Sequence, residues 1–146
     1  MSRIEIAVSP VYFGFIVNLR VDNTPAAKAL LRSAGKPIPP PVMATALIDT
    51  GASICGVKED LIRALALPSR SAQTRLITTA GGEFHSPDYY AGISVVDDPE
   101  IAIPFVRVCC LALGAGPFDM ILGMNALAQL NWSYSRATQR LTLQKP

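Results

Sequence analysis

Short runs of β-branched and aromatic residues, each closed by Gly, Pro, Asn or Asp, occupy most of this chain and leave it few ways to fold except as sheet. The expected strands are Val11 to Val21, Val42 to Ile48, Gln73 to Thr79, Glu83 to Val95 and Ile101 to Leu113, followed by a closing hairpin from Leu130 to Leu143. Two helices are expected to interrupt them. Thr24 can cap a helix that starts on Pro25 and runs through Ala26 to Ala34, with Gly35 and Pro37 placed to stop it. The second, Lys58 to Ala66, sets Leu61, Ile62, Leu65 and Ala66 on one face ahead of Pro68. Ile38-Pro39-Pro40-Pro41 is stiff and polyproline-like, so residues 24–41 are expected as a helical and Pro-rich insertion outside the core. No repeat or linker divides the sequence, and 146 residues are enough for one domain, 1–146, with a core of its own.

Half of the residues are hydrophobic and 16% are charged, which fits a compact or oligomeric protein and not a disordered one. A net charge of +2 with scattered basic residues argues against nucleic acid as a partner. Arg3 and Glu5 interrupt any signal-peptide core, and no segment approaches the length of an apolar span, so no membrane association and a cytoplasmic location are expected. Three cysteines cannot all pair within one chain, and Cys109 and Cys110 stand together in an apolar run, so reduced, buried thiols are expected. One histidine and no Cys-x-x-Cys leave no ligand set for a structural metal, and no cofactor is expected.

The chemistry concentrates in two stretches. In Ala46-Leu47-Ile48-Asp49-Thr50-Gly51-Ala52-Ser53 an ionisable carboxylate ends an apolar run and is followed at once by Thr-Gly. Burying a lone carboxylate is costly, so such a placement points to chemistry or to a specific partner. In Phe118-Asp119-Met120-Ile121-Leu122-Gly123-Met124-Asn125-Ala126-Leu127 an apolar pair, Ile121-Leu122, ends on Gly123 and runs into a short helix. Between them, Thr79-Ala80-Gly81-Gly82-Glu83 is a turn signal joining two strand-like runs.

This ordered pair of motifs resembles the retropepsins, the single-domain aspartic proteases of retroviruses, and more closely their cellular and bacterial relatives, from about Val42 to Leu143. The resemblance implies a closed all-β barrel, the acid-protease fold with one lobe per chain, and short helices. It also implies aspartic endopeptidase activity, with Asp49 as the catalytic carboxylate and Thr79 to Glu83 as a flap folding over a peptide or protein substrate. Peptide hydrolysis needs a base for the water and an acid for the carbonyl oxygen, roles that two carboxylates sharing one proton can fill. The chain carries no second Asp-Thr-Gly or Asp-Ser-Gly, so a homodimer would supply the other carboxylate as a second Asp49. By the same resemblance Thr50 would reach across the two-fold axis and Gly51 would let the backbone approach the carboxylate. Ala52 leaves the ionised form one hydroxyl donor short. Met124 and Ser53 stand where the viral enzymes carry an arginine and an aspartate, so that intersubunit ion pair cannot form. The C-terminal hairpin, through Trp132, Tyr134, Leu141 and Leu143, is expected to hold the dimer instead.

Other readings of the same residues are open. Asp49 could be a turn or cap carboxylate, and Asp119, with no Thr-Gly after it, is expected to be a structural turn residue. Cys55 with His85 could form a thiol hydrolase. A noncatalytic dimer could keep the barrel and bind peptides or a partner protein in its cleft. Ile54, Val57, Leu76, Ile77 and Ile121 are the candidates for apolar subsites.

Overall fold

The computed structural model describes residues 2–69, 74–79, 82–112 and 117–146. Strand β1 (Arg3–Ala7) leads through an exposed turn to β2 (Phe15–Asp22), and helix α1 (Pro25–Ser33) separates β2 from β3 (Val42–Ile48). Then come β4 (Cys55–Lys58), α2 (Glu59–Ala64), the hairpin of β5 (Arg75–Thr79) and β6 (Gly82–Ser86), and the long pair β7 (Tyr89–Val95) and β8 (Ala102–Leu111). The chain finishes with β9 (Met120–Leu122), α3 (Met124–Leu127), β10 (Asn131–Ser135) and β11 (Arg140–Gln144). Six strands close a barrel in the order β2-β3-β9-β4-β8-β7; β1-β11-β10 form a second, three-stranded sheet, and β5-β6 a separate hairpin.

Alternation fills the barrel. On β8 the even-numbered Val106 and Val108 face the interior with Val17, Leu19 and Val21 of β2 and Ala44, Ala46 and Ile48 of β3. Leu141 and Leu143 of β11 join this same core, so the second sheet is packed onto the barrel. Helix α2 seals another part of it with Ile62 and Leu65.

The helices start and stop as local chemistry requires. The Thr24 hydroxyl oxygen accepts the Ala27 N–H at 3.1 Å, Pro25 takes the first helical position where no N–H is needed, and α1 ends ahead of Gly35. Only Ala27 of α1 is buried. Helix α2 is shorter than the apolar spacing predicts: Leu65 caps it, and Ala66 turns outward with φ 48° and is exposed, leaving the expected face without that residue.

Other boundaries also move. The run from Val11 does not begin a strand, because Ser9 folds it into a turn: the Phe13 N–H reaches the Ser9 carbonyl at 2.9 Å, and the Ser9 N–H reaches the Gly14 carbonyl at 2.8 Å. The single run Glu83 to Val95 divides at Pro87-Asp88, with β6 pairing only with β5 while β7 enters the barrel. Pro87 has no N–H to carry a ladder through that point. Cys109 is buried, but Cys110 is only half-buried, packed against the barrel core within range of the exposed Glu59 and Arg63 of α2. Among the described residues no helix is long and apolar enough to cross a membrane, and no group of three or more His, Cys, Asp or Glu could hold a metal ion.

Candidate active site

Strand β9 is inserted between β3, to which it runs parallel, and β4, to which it runs antiparallel. That arrangement puts the end of β3 and the beginning of β4 on either side of Gly123, with the loop Asp49 to Ile54 crossing over it. The Asp49 N–H extends the β3–β9 ladder by donating to the Leu122 carbonyl at 3.0 Å, and the chain then turns on Thr50-Gly51. Asp49 Oδ1 accepts the Gly51 N–H at 2.8 Å, and the Ala52 N–H donates to the Asp49 carbonyl at 3.2 Å. A charge-assisted bond from a backbone donor fixes the carboxylate without a second side chain. Asp49 is half-buried and not enclosed, because the loop beside it is exposed at Thr50, Gly51 and Ser53.

Gly123 is required by close approach. A Cβ there would lie 2.7 Å from the carbonyl carbon and oxygen of Ile54 and 3.0 Å from the Ala52 oxygen, all backbone atoms that cannot swing aside. The loop is also bonded to the start of α3, with the Met124 N–H on the Ala52 carbonyl at 2.7 Å and the Asn125 N–H on the Ser53 carbonyl at 3.2 Å. Asn125 ties the layers together. Its Oδ1 accepts the Cys55 N–H at 2.9 Å and the Cys55 thiol at 3.1 Å, while its Nδ2 donates to the Arg107 carbonyl at 2.8 Å. The sequence placed Asn125 in the second motif without giving it a task. Its position two residues beyond the motif glycine was the available signal.

The loop forms one wall of a cavity of about 810 Å³ closed on the other side by β5 of the hairpin. Asp49, Gly51, Ala52, Ser53 and Ile54 line it from the loop, Arg75 to Thr79 from β5, and Arg107, Cys109, Leu111 and Ile121 from the barrel wall. Ile77, Cys109 and Leu111 form a small apolar cluster with Ile54, Phe84 and Ile121 packed against it, so the hairpin is seated on the barrel by hydrophobic contact. The second motif divides by strand alternation: Ile121 faces the cleft, Leu122 faces the barrel core, and Gly123 carries the crossing loop. Ile54, Leu76, Ile77 and Ile121 line the cleft. Val57 does not, because β4 turns it into the barrel core, where it is fully buried.

At the tip of the hairpin, Ala80 and Gly81 lie outside the described residues. Thr79 lines the cavity and its hydroxyl donates to the Gly82 carbonyl at 3.0 Å. Gly82 has φ 122°, a conformation open to glycine and strained for other residues, and Glu83 is exposed.

Asp119 is structural. Its Oδ2 accepts the Thr45 N–H at 3.0 Å and its Oδ1 lies 3.5 Å from Lys58 Nζ, which pins the start of β9 between β3 and β4 at the end away from Asp49.

The thiol reading is corrected by the geometry. Cys55 is buried and bonded to Asn125, with the Gly123 N–H on its sulfur at 3.3 Å, whereas His85 sits exposed on β6 with Nδ1 3.3 Å from the Thr74 hydroxyl. Burial pushes the Cys55 thiol up to about 11, against the smaller opposing effect of the Gly123 N–H, so it holds almost no thiolate near neutrality. Burial likewise raises Cys109 to about 11. Both thiols therefore keep their protons in the folded chain over a range where the unfolded chain loses them. From about pH 9 to 11 the unfolded state binds fewer protons, so stability is full below pH 9 and falls as pH rises towards 11. Urea titrations across this range should show a steeper loss for wild type than for Cys55→Ala, and equal slopes would contradict the assignment.

Residues 42–129 match the family model described as "gag-polyprotein putative aspartyl protease". The retropepsin-like aspartic protease from Rickettsia conorii superposes with a TM-score of 0.65 at 18% identity, covering 99% of this chain and 91% of that one. The Simian Foamy Virus (mac) protease gives a TM-score of 0.43 at 18% identity, covering 77% of this chain and 91% of that one. No curated protein matches.

Proposed function

The chain belongs to the retropepsin-like aspartic protease family, and from that premise we propose that it is an endopeptidase that hydrolyses peptide bonds with two Asp49 carboxylates, one from each subunit of a homodimer. The observation that carries this reading is Asp49 itself, held by the Gly51 N–H at a strand end and facing a cavity roofed by the β5–β6 hairpin. Among the described residues it is the only acidic side chain lining that cavity.

One carboxylate cannot at once take a proton from water and give one to the carbonyl oxygen. A pair sharing a single proton can do both, and the chain supplies one member per cleft. A two-fold axis beside Asp49 brings the second. Thr50, exposed in the single chain, is the residue whose hydroxyl can meet its twin across that axis. The apolar side chains Ile54, Leu76 and Ile121 give the cleft walls that would take hydrophobic substrate residues. The β5–β6 hairpin would lift to admit the peptide and reseat to exclude water.

Mixing tests the shared site. When wild-type chains are exchanged with Asp49→Asn chains at constant total protein, activity should fall as the square of the wild-type fraction, to about a quarter at equal amounts, since a mixed dimer has one carboxylate. A linear fall would show that each chain works alone and would overturn the dimeric site. Peptide binding without any cleavage by wild type would favour the noncatalytic module on the same fold.

A further inference from the structure

We propose that Arg107 makes the cleft select peptides carrying an acidic side chain at a fixed distance from the scissile bond, an inference that deepens the peptidase reading and rests on it. Apolar residues such as Ile54, Ile77 and Ile121 line much of the cleft, and two arginines line it as well, Arg75 from the hairpin and Arg107 from the barrel. Strand β8 explains the second. Its odd-numbered residues Arg107, Cys109 and Leu111 share the cleft face, while Val106 and Val108 turn into the core.

Both arginines approach one carboxylate. Asp88, at the chain's passage from the hairpin to the barrel, is only 13% exposed at its side chain and takes Arg75 in a two-pronged bond, Nε to Oδ1 at 3.1 Å and Nη2 to Oδ2 at 3.0 Å. That geometry uses both oxygens of Asp88 on Arg75. Arg107 is left at 4.0 Å from Oδ2, beyond hydrogen-bonding distance, with its side chain 36% exposed. Two positive charges thus face one negative, and the cluster carries a net charge of +1 where it meets the cleft. Asp88 is held below the usual carboxylate range by the Arg75 hydrogen bond, so it stays ionised and this balance holds through the neutral range.

An arginine at the wall of a partly apolar cleft, its guanidinium only loosely paired with Asp88 and without a side-chain hydrogen bond among the described residues, is matched by a carboxylate side chain of a bound peptide. An extended peptide advances about 3.3 Å per residue and alternates its side chains, so such a carboxylate can reach Arg107 from one substrate position and not from its immediate neighbours. Arg75 serves as the fixed partner that keeps Asp88 from neutralising Arg107.

The test walks a single Glu, against Gln, through each position of a fluorescent peptide. Cleavage is measured with wild type, and binding of the intact peptides with Asp49→Asn. One position is expected to favour Glu over Gln by about tenfold, in kcat/KM and in affinity alike, the gain being modest because the site is partly exposed. Arg107→Gln should abolish that preference, bringing the Glu and Gln peptides to the same kcat/KM and the same affinity, and Arg107→Lys should keep part of it. Cleavage by wild type with no Glu preference, or a preference that survives Arg107→Gln, overturns this inference and leaves the peptidase reading intact. No cleavage, with an Arg107-dependent Glu preference in binding, supports the anion subsite and overturns the peptidase. The absence of both overturns both.

Discussion

Replacing Asp49 with Asn is expected to lower the turnover of peptide cleavage by at least about 10³-fold while the protein keeps its fold. The separation of effects follows from the local bonding. The structural demand on Asp49 is an oxygen that accepts the Gly51 N–H at 2.8 Å, and the amide oxygen of Asn can meet it in the same place. The backbone bonds from Asp49 to Leu122 and from Ala52 to Asp49 do not involve the side chain at all. What Asn cannot do is exchange a proton with water or substrate. The loss should fall on kcat and on kcat/KM together, since the interaction removed belongs to the transition state, while peptide affinity changes little. Circular dichroism melting beside a steady-state assay separates the two effects, and a folded variant with undiminished cleavage would refute the role.

The same loop shows how much of the candidate site is legible in the sequence. The turn at Asp49, Thr50 and Gly51 was legible because it is local: a carboxylate and a glycine closing a strand, joined by the Gly51 N–H on Asp49 Oδ1. The second motif was legible as a pattern, but its division into cleft-facing Ile121 and core-facing Leu122 depends on β9 lying between β3 and β4, a nonlocal pairing. Val57 was misplaced for the same reason, since the four-residue β4 carries too little alternation to reveal which face is buried. Arg75 and Arg107 were invisible as a pair. They stand 32 positions apart and meet only through Asp88 at the hairpin base. Strand β1, by contrast, was available and missed: Arg3-Ile4-Glu5-Ile6-Ala7 alternates with period two, with Ile4 and Ile6 packed against the core. Helix α1 was readable almost to the residue because Thr24, Pro25 and Gly35 act through backbone bonds within a few positions.

The missed strand alters what the C-terminus does. Removing Gln139 to Pro146 is expected to unfold the chain, and not merely to loosen a dimer. Strand β11 is the middle of its sheet, paired along all five residues with β1 on one side and β10 on the other, so its loss leaves two strands without a partner. Leu141 and Leu143 are 2% and 0% exposed and belong to the barrel core, so they are not interface residues as the sequence suggested. Truncating one such leucine to alanine costs about 2–5 kcal/mol, and losing two together with the ladder approaches the roughly 5–15 kcal/mol that holds a domain folded. The side chains left for a partner are those of β10, an edge strand with all five residues exposed, among them Trp132 and Tyr134. The milder variant Leu143→Ala should lower the unfolding free energy by about 3 kcal/mol in urea at unchanged slope. A truncated chain that melts cooperatively near the full-length temperature would show that β11 is dispensable to the fold and would restore an interface role for its leucines.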